Sequence, residues 1–133
     1  MTTRRAIRTE RAPAAVGPYS QGILEGQFVF TSGQLPMTTD GELIIDDIER
    51  ATRQALENVK VVLEAGGASL TDVVKVTVYL VDMDDFAAVN AVYAEIFTEP
   101  FPARSCIEVT RLPKGVPLEI EAIARRGGNS DSA

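Results

Sequence analysis

Near the C-terminal end of this 133-residue chain, a guanidinium, a thiol and three carboxylates stand at alternating positions of two short segments. If Pro102-Ala103-Arg104-Ser105-Cys106-Ile107-Glu108-Val109 runs extended, Arg104, Cys106 and Glu108 point to one side and the intervening residues to the other. Residues 112–117, rich in Gly and Pro, read as a turn. The segment after it alternates again, with Leu118, Ile120, Ala122 and Ala124 on an apolar side and Glu119 and Glu121 opposite. A guanidinium presents a planar fork of donors suited to a small carboxylate, and a carboxylate beside it can orient or deprotonate a water. The expectation is a small-acid site in which Glu119 lies beside Arg104.

Other groups could join them. Tyr19 follows Gly17-Pro18, a turn able to hold its ring over a cleft, though an ordinary half-buried aromatic fits as well. Ser32-Gly33 closes a strand-like run, where glycine allows close approach of a ligand to backbone N–H groups and a plain turn is the alternative. Asn90 sits on an apolar stripe and must bond either core backbone or ligand. Cys106 has no histidine or second cysteine to work with, so a pocket-lining thiol is favoured over a nucleophile. Glu121 reads as structural.

Composition narrows the chemistry further. The chain has no histidine and one cysteine, so zinc, haem, Cys-His and Ser-His catalysis lack their parts, and neither a metal nor a cofactor is expected. A formal net charge of −6 opposes general nucleic-acid binding, which needs a basic field. No run approaches the ~18 apolar residues of a membrane span. Arg4, Arg5, Arg8 and Arg11 are followed by no apolar signal-peptide core, so a solvated or edge-strand start is expected there, and the lone free thiol suits a reducing cytoplasm.

These groups need elements to hold them, and the chain supplies one domain over residues 1–126 with a flexible polar tail at 127–133. Residues 22–25 and 27–32 flank Gly26 as a hairpin. Asp46, with Glu49 three positions on, predicts a helix N-terminus, and Ile48, Ala51, Ala55, Leu56, Val59, Val62 and Leu63 recur at helical spacing until Gly66-Gly67 ends the run. Residues 72–81 form a long strand with Val74, Val76, Val78 and Leu80 on one face. A second helix begins at Asp84 or Asp85 and runs to Phe97, and strands at 103–110 and 118–126 close the domain. This order predicts an α+β fold, a mixed sheet with two helices on one face, its other face in need of a partner.

Gly17-Pro18-Tyr19-Ser20-Gln21, Phe28-Val29-Phe30-Thr31-Ser32-Gly33-Gln34-Leu35-Pro36, Val89-Asn90-Ala91-Val92-Tyr93 and Pro102-Ala103-Arg104-Ser105-Cys106 together resemble the RidA (YjgF-like) family of reactive-intermediate deaminases. The resemblance covers all but the first dozen residues and the tail. It implies a chorismate-mutase-like fold, a homotrimer with ligand sites between subunits, and hydrolysis of 2-imino acids, tautomers of enamines such as 2-aminoacrylate, to 2-keto acids and ammonia. It further implies that Arg104 clasps the substrate carboxylate and Glu119 orients the attacking water. Tyr19, Ser32, Gly33, Asn90 and Cys106 would line the pocket, Cys106 partly through its backbone. Some wider members of that family lack the arginine, so its presence here favours the deaminase branch.

Three other readings stay open. A binding module would use the cleft without turnover, an interaction protein of chaperone or ribonuclease type would not depend on Arg104, and a deaminase of a different small molecule would use another pocket size.

Overall fold

The computed structural model describes residues 4–127; the polar segment expected to be flexible lies, apart from Gly127, outside them. Strands β1 (Arg5–Ile7), β2 (Gly22–Glu25) and β3 (Phe28–Thr31) precede helix α1 (Ile48–Ala65). Then follow β4 (Val73–Leu80), α2 (Phe86–Ile96), β5 (Ala103–Glu108) and β6 (Leu118–Arg125). They form one mixed sheet in the order β1-β2-β3-β6-β4-β5, in which β4 and β5 run parallel and every other neighbouring pair is antiparallel. The parallel pair encloses α2, as a crossover requires. The short run at the basic N-terminal segment is an edge strand on β2.

The sheet has one dry face. Leu24, Val29, Val76, Val78, Leu80, Leu118, Ile120, Ala122 and Ala124 are buried against the apolar stripes of α1 and α2, with Ala51, Ala55, Val59, Val62, Val89, Val92 and Tyr93 on the helix side. Period-2 burial along β6, buried at every even position and half-buried at every odd one, is the pattern of a strand covered on one side. Phe28, Phe30 and Ile107 stand 41%, 39% and 43% exposed on the other side.

Three local expectations shift. Asp47, not Asp46, caps α1, its side chain accepting from the Arg50 N–H at 3.1 Å. Two neighbouring aspartates offer the same chemistry, and the extended backbone at Asp47 selects the second. Residues Met83–Asp85 form a 3-10 turn before α2. In β4, Val73 pairs with Ala124 and Lys75 with Ile123, leaving Val74 as the extra residue of a bulge. Val73 therefore takes the inward place and Val74 turns out to 46% exposure.

Gly22 shows how closely the layers meet. A Cβ there would lie 2.8 Å from Val62 Cγ1 and 2.9 Å from the Phe30 carbonyl oxygen, which is backbone and cannot move aside. Gly22→Ala is expected to lower unfolding free energy by ~1–3 kcal/mol, the range for overpacking, read from the urea midpoint at unchanged slope.

Candidate active site

Two clusters emerge where the sequence suggests one. The first surrounds Glu119, which β6 places on the uncovered face. Between the Phe30–Ile123 pairing and the Gln34–Ile120 bridge, the β3 side advances four residues and β6 three, so one extra residue is taken up at Ser32-Gly33. Backbone bonds between Gln34 and Ile120, at 2.7 and 3.1 Å, resume the pairing. Glu119 fills the opening. A Cβ on Gly33 would coincide with its carboxylate, so glycine is required there for space.

Ser32 is held by the Gln21 carbonyl, which accepts its N–H at 2.9 Å, and its hydroxyl donates to the Ser20 carbonyl. Tyr19 follows a turn in which Gly17 has φ of 115°, and its ring stands half exposed. Tyr19, Ser32, Gly33 and Glu119 line one cleft of about 580 Å³, together with Pro13, Val16, Gln21, Leu35 and Met37. Burial raises the Glu119 pKa above its ordinary value, and the like charge of Glu121 raises it further. Glu121 is engaged by Tyr79, whose own ionisation is pushed up by burial and then by that carboxylate.

The second cluster surrounds Arg104, which β5 turns toward α2. Phe86, Asn90 and Tyr93 fall at i, i+4 and i+7 on one helix face. Asn90 Oδ1 accepts from Arg104 Nη1 at 2.7 Å. The guanidinium carbon lies 4.7 Å from the Tyr93 ring centroid and 5.4 Å from that of Phe86, within cation–π range. The cation is thus seated and oriented, with further N–H groups available to a carboxylate. Cys106, two residues along the same face, packs against the core. Burial raises its thiol pKa and the Arg104 charge only partly opposes this, so the thiol stays protonated at neutral pH.

The structure therefore brings together Tyr19, Ser32, Gly33 and Glu119, and separately Asn90, Arg104 and Cys106. It does not place Glu119 beside Arg104 within one chain. Strand β4 lies between them, pairing Arg104 with inward-facing Val76 and Glu119 with Tyr79 on the uncovered face. Adjacent strands put paired residues on the same side, so the two registers send these side chains to opposite faces of the sheet. Phe86 and Tyr93 escape a sequence reading because aromatics at helical spacing look like core. The signal was their spacing from Asn90. Among the described residues no group of acidic or cysteine side chains is arranged to hold a metal ion, and no helix is long and apolar enough to cross a membrane.

Comparison with known proteins places this geometry among relatives. The family model described as Endoribonuclease L-PSP matches residues 9–126. A RutC family protein of Pyrococcus horikoshii is 57% identical over 91% of this chain and 97% of its own length. The 2-iminobutanoate/2-iminopropanoate deaminase of Salmonella typhimurium is 53% identical over 92% of this chain and 98% of its own. The crystal structure of Escherichia coli TdcF with bound serine superposes with a TM-score of 0.87 at 49% identity, covering 92% of this chain and 99% of that one.

Proposed function

This chain belongs to the RidA (YjgF-like) family, and we propose that within it the protein is a 2-iminobutanoate/2-iminopropanoate deaminase, hydrolysing reactive 2-imino acids to 2-keto acids and ammonia. The observation that carries the reading is a seated guanidinium and a desolvated carboxylate in a chain about half identical to deaminases so named. Arg104 takes the substrate carboxylate, with backbone N–H groups near Gly33 and Cys106 completing its cradle. Glu119 orients a water against the C=N carbon and accepts its proton as the new C–O bond forms. That proton passes to nitrogen to give the carbinolamine; Glu119 then takes the hydroxyl proton and delivers it to the same nitrogen, so the C–N bond breaks as C=O forms and ammonia leaves. The imine is already electrophilic, so positioning and modest acid-base help suffice. Cys106 contributes packing and backbone.

A second copy of the chain completes the site. Arg104 and Glu119 face opposite sides of one sheet, and the uncovered face carries Phe28, Phe30 and Ile107, apolar surface that association would bury. This supports a homotrimer with clefts between subunits, each receiving Arg104, Asn90 and Cys106 from one copy and Tyr19, Ser32, Gly33 and Glu119 from its neighbour. A cytoplasmic site of action fits a chain whose one cysteine is a free thiol. Ribonuclease chemistry, which the family model's description names, finds no histidine here and a net charge of −6.

The deciding measurement is the decay of 2-iminobutanoate generated in situ from threonine by a dehydratase. The protein is expected to speed 2-ketobutyrate formation over the uncatalysed rate; equal rates would overturn the reading. The same assay gives a pH profile. Glu119 works as its carboxylate, so activity falls as pH drops through a pKa raised by burial and by Glu121. Glu121→Gln removes the like charge, lowers that pKa and moves the acid limb to lower pH. An unmoved limb would assign it to another group.

A further inference from the structure

Two buried carboxamides hold backbone around the cleft: Gln21, which is itself among its lining residues, and Asn58, which is not. Asn58, in the middle of α1 and 0% exposed, donates through Nδ2 to the carbonyls of Leu35 at 3.0 Å and Met37 at 2.9 Å. Its Oδ1 accepts from Gln54 Nε2 at 3.0 Å, so the side chain is fully engaged. Gln21, 5% exposed, accepts the Thr9 N–H at 2.7 Å through Oε1. Its Nε2 faces the carbonyls of Pro13 at 2.8 Å, Thr9 at 3.0 Å and Ala12 at 3.3 Å.

Three of the five carbonyls they hold, those of Leu35, Met37 and Pro13, belong to residues that line the Glu119 cleft. Asparagine is a weaker helix former than the alanine or leucine that would pack the interior of α1, and a buried amide without partners costs ~1–3 kcal/mol. What Asn58 supplies is a fixed attachment for a loop that begins at Gly33, against the Glu119 carboxylate. Gln21 does the same for the segment leading to Tyr19. We propose that Gln21 and Asn58 are positioning residues for the Glu119 cleft, each holding a different stretch of its lining backbone in register with the carboxylate, an inference that rests on the deaminase reading.

The test compares Asn58→Leu and Gln21→Met, which keep shape and lose the hydrogen bonds, with wild type. Affinity for 2-ketobutyrate is measured by calorimetry, KM for 2-iminobutanoate by the coupled assay, and local opening by amide hydrogen exchange. Asn58→Leu should exchange faster at residues 33–38 and Gln21→Met at residues 9–16, with Kd and KM each rising about tenfold, since small displacements at a reacting centre are costly. A merely structural role would reduce the number of folded binding sites and leave Kd alone. Unchanged Kd and KM in either cooperatively unfolding variant would overturn the proposal for that residue, whatever the exchange shows. If Asn58→Leu does not fold, Asn58→Ser, which keeps a donor and admits water, carries the same comparison. A wild type that binds 2-ketobutyrate without hastening imine decay would overturn the deaminase reading instead, leaving the two clamps to be judged by Kd.

Discussion

Arg104→Ala is expected to lower kcat/KM for 2-iminobutanoate by about 10²–10⁴, mostly through KM. The magnitude follows from losing two charge-assisted hydrogen bonds to the substrate carboxylate, each worth ~1.5–3 kcal/mol when buried and well aligned. The carboxylate is unchanged by the reaction, so its clasp acts alike on ground and transition states and appears in KM. Glu119→Gln, which keeps the shape of the side chain and removes the base, should instead lower kcat by about 10²–10⁴ with little change in KM. Arg104→Lys keeps the charge but forfeits the fork and the aromatic seat between Phe86 and Tyr93, and belongs between wild type and alanine. Binding that survives Glu119→Gln in a protein with no turnover would favour a binding module. A function indifferent to Arg104→Ala would favour an interaction protein.

Mixing the two impaired variants should restore kcat/KM in part. If each cleft takes Arg104 from one subunit and Glu119 from the next, subunits of Arg104→Ala and Glu119→Gln unfolded and refolded together in equal amounts give each cleft an even chance of either intact residue. About a quarter of the sites are then complete in a closed trimer. Steady-state rates of the refolded mixture, set against each variant refolded alone, decide the point. No recovery would mean that both residues serve the same site from one chain, against their placement on opposite faces of the sheet.

The sequence carried much of this arrangement, and what it missed at the site has one main cause. Alternation within β6 put Glu119 on the polar side of its strand, and the motif around Gly33 put that glycine at a strand end, as the structure has them. What a single strand's alternation does not contain is its phase relative to a strand two positions away. That phase passes through the registers of β4 with both neighbours, and it sends Arg104 and Glu119 to opposite faces. The bulge at Val74 is invisible for the same reason, because Val73 and Val74 are adjacent and either one suits the inward place until the register with β6 is known. Asn90 looked ambiguous because its partner, Arg104, lies 14 residues on in sequence, on another element.

The seat beneath Arg104 also bears on how the reaction ends. A guanidinium held by Asn90 and two rings gives up little freedom when it grips an anion, and 2-ketobutyrate presents the same anion as the imine from which it came. The clasp cannot tell a spent molecule from a fresh one. Progress curves should therefore bend early as keto acid accumulates, and they should straighten in Arg104→Lys, where the product is let go sooner.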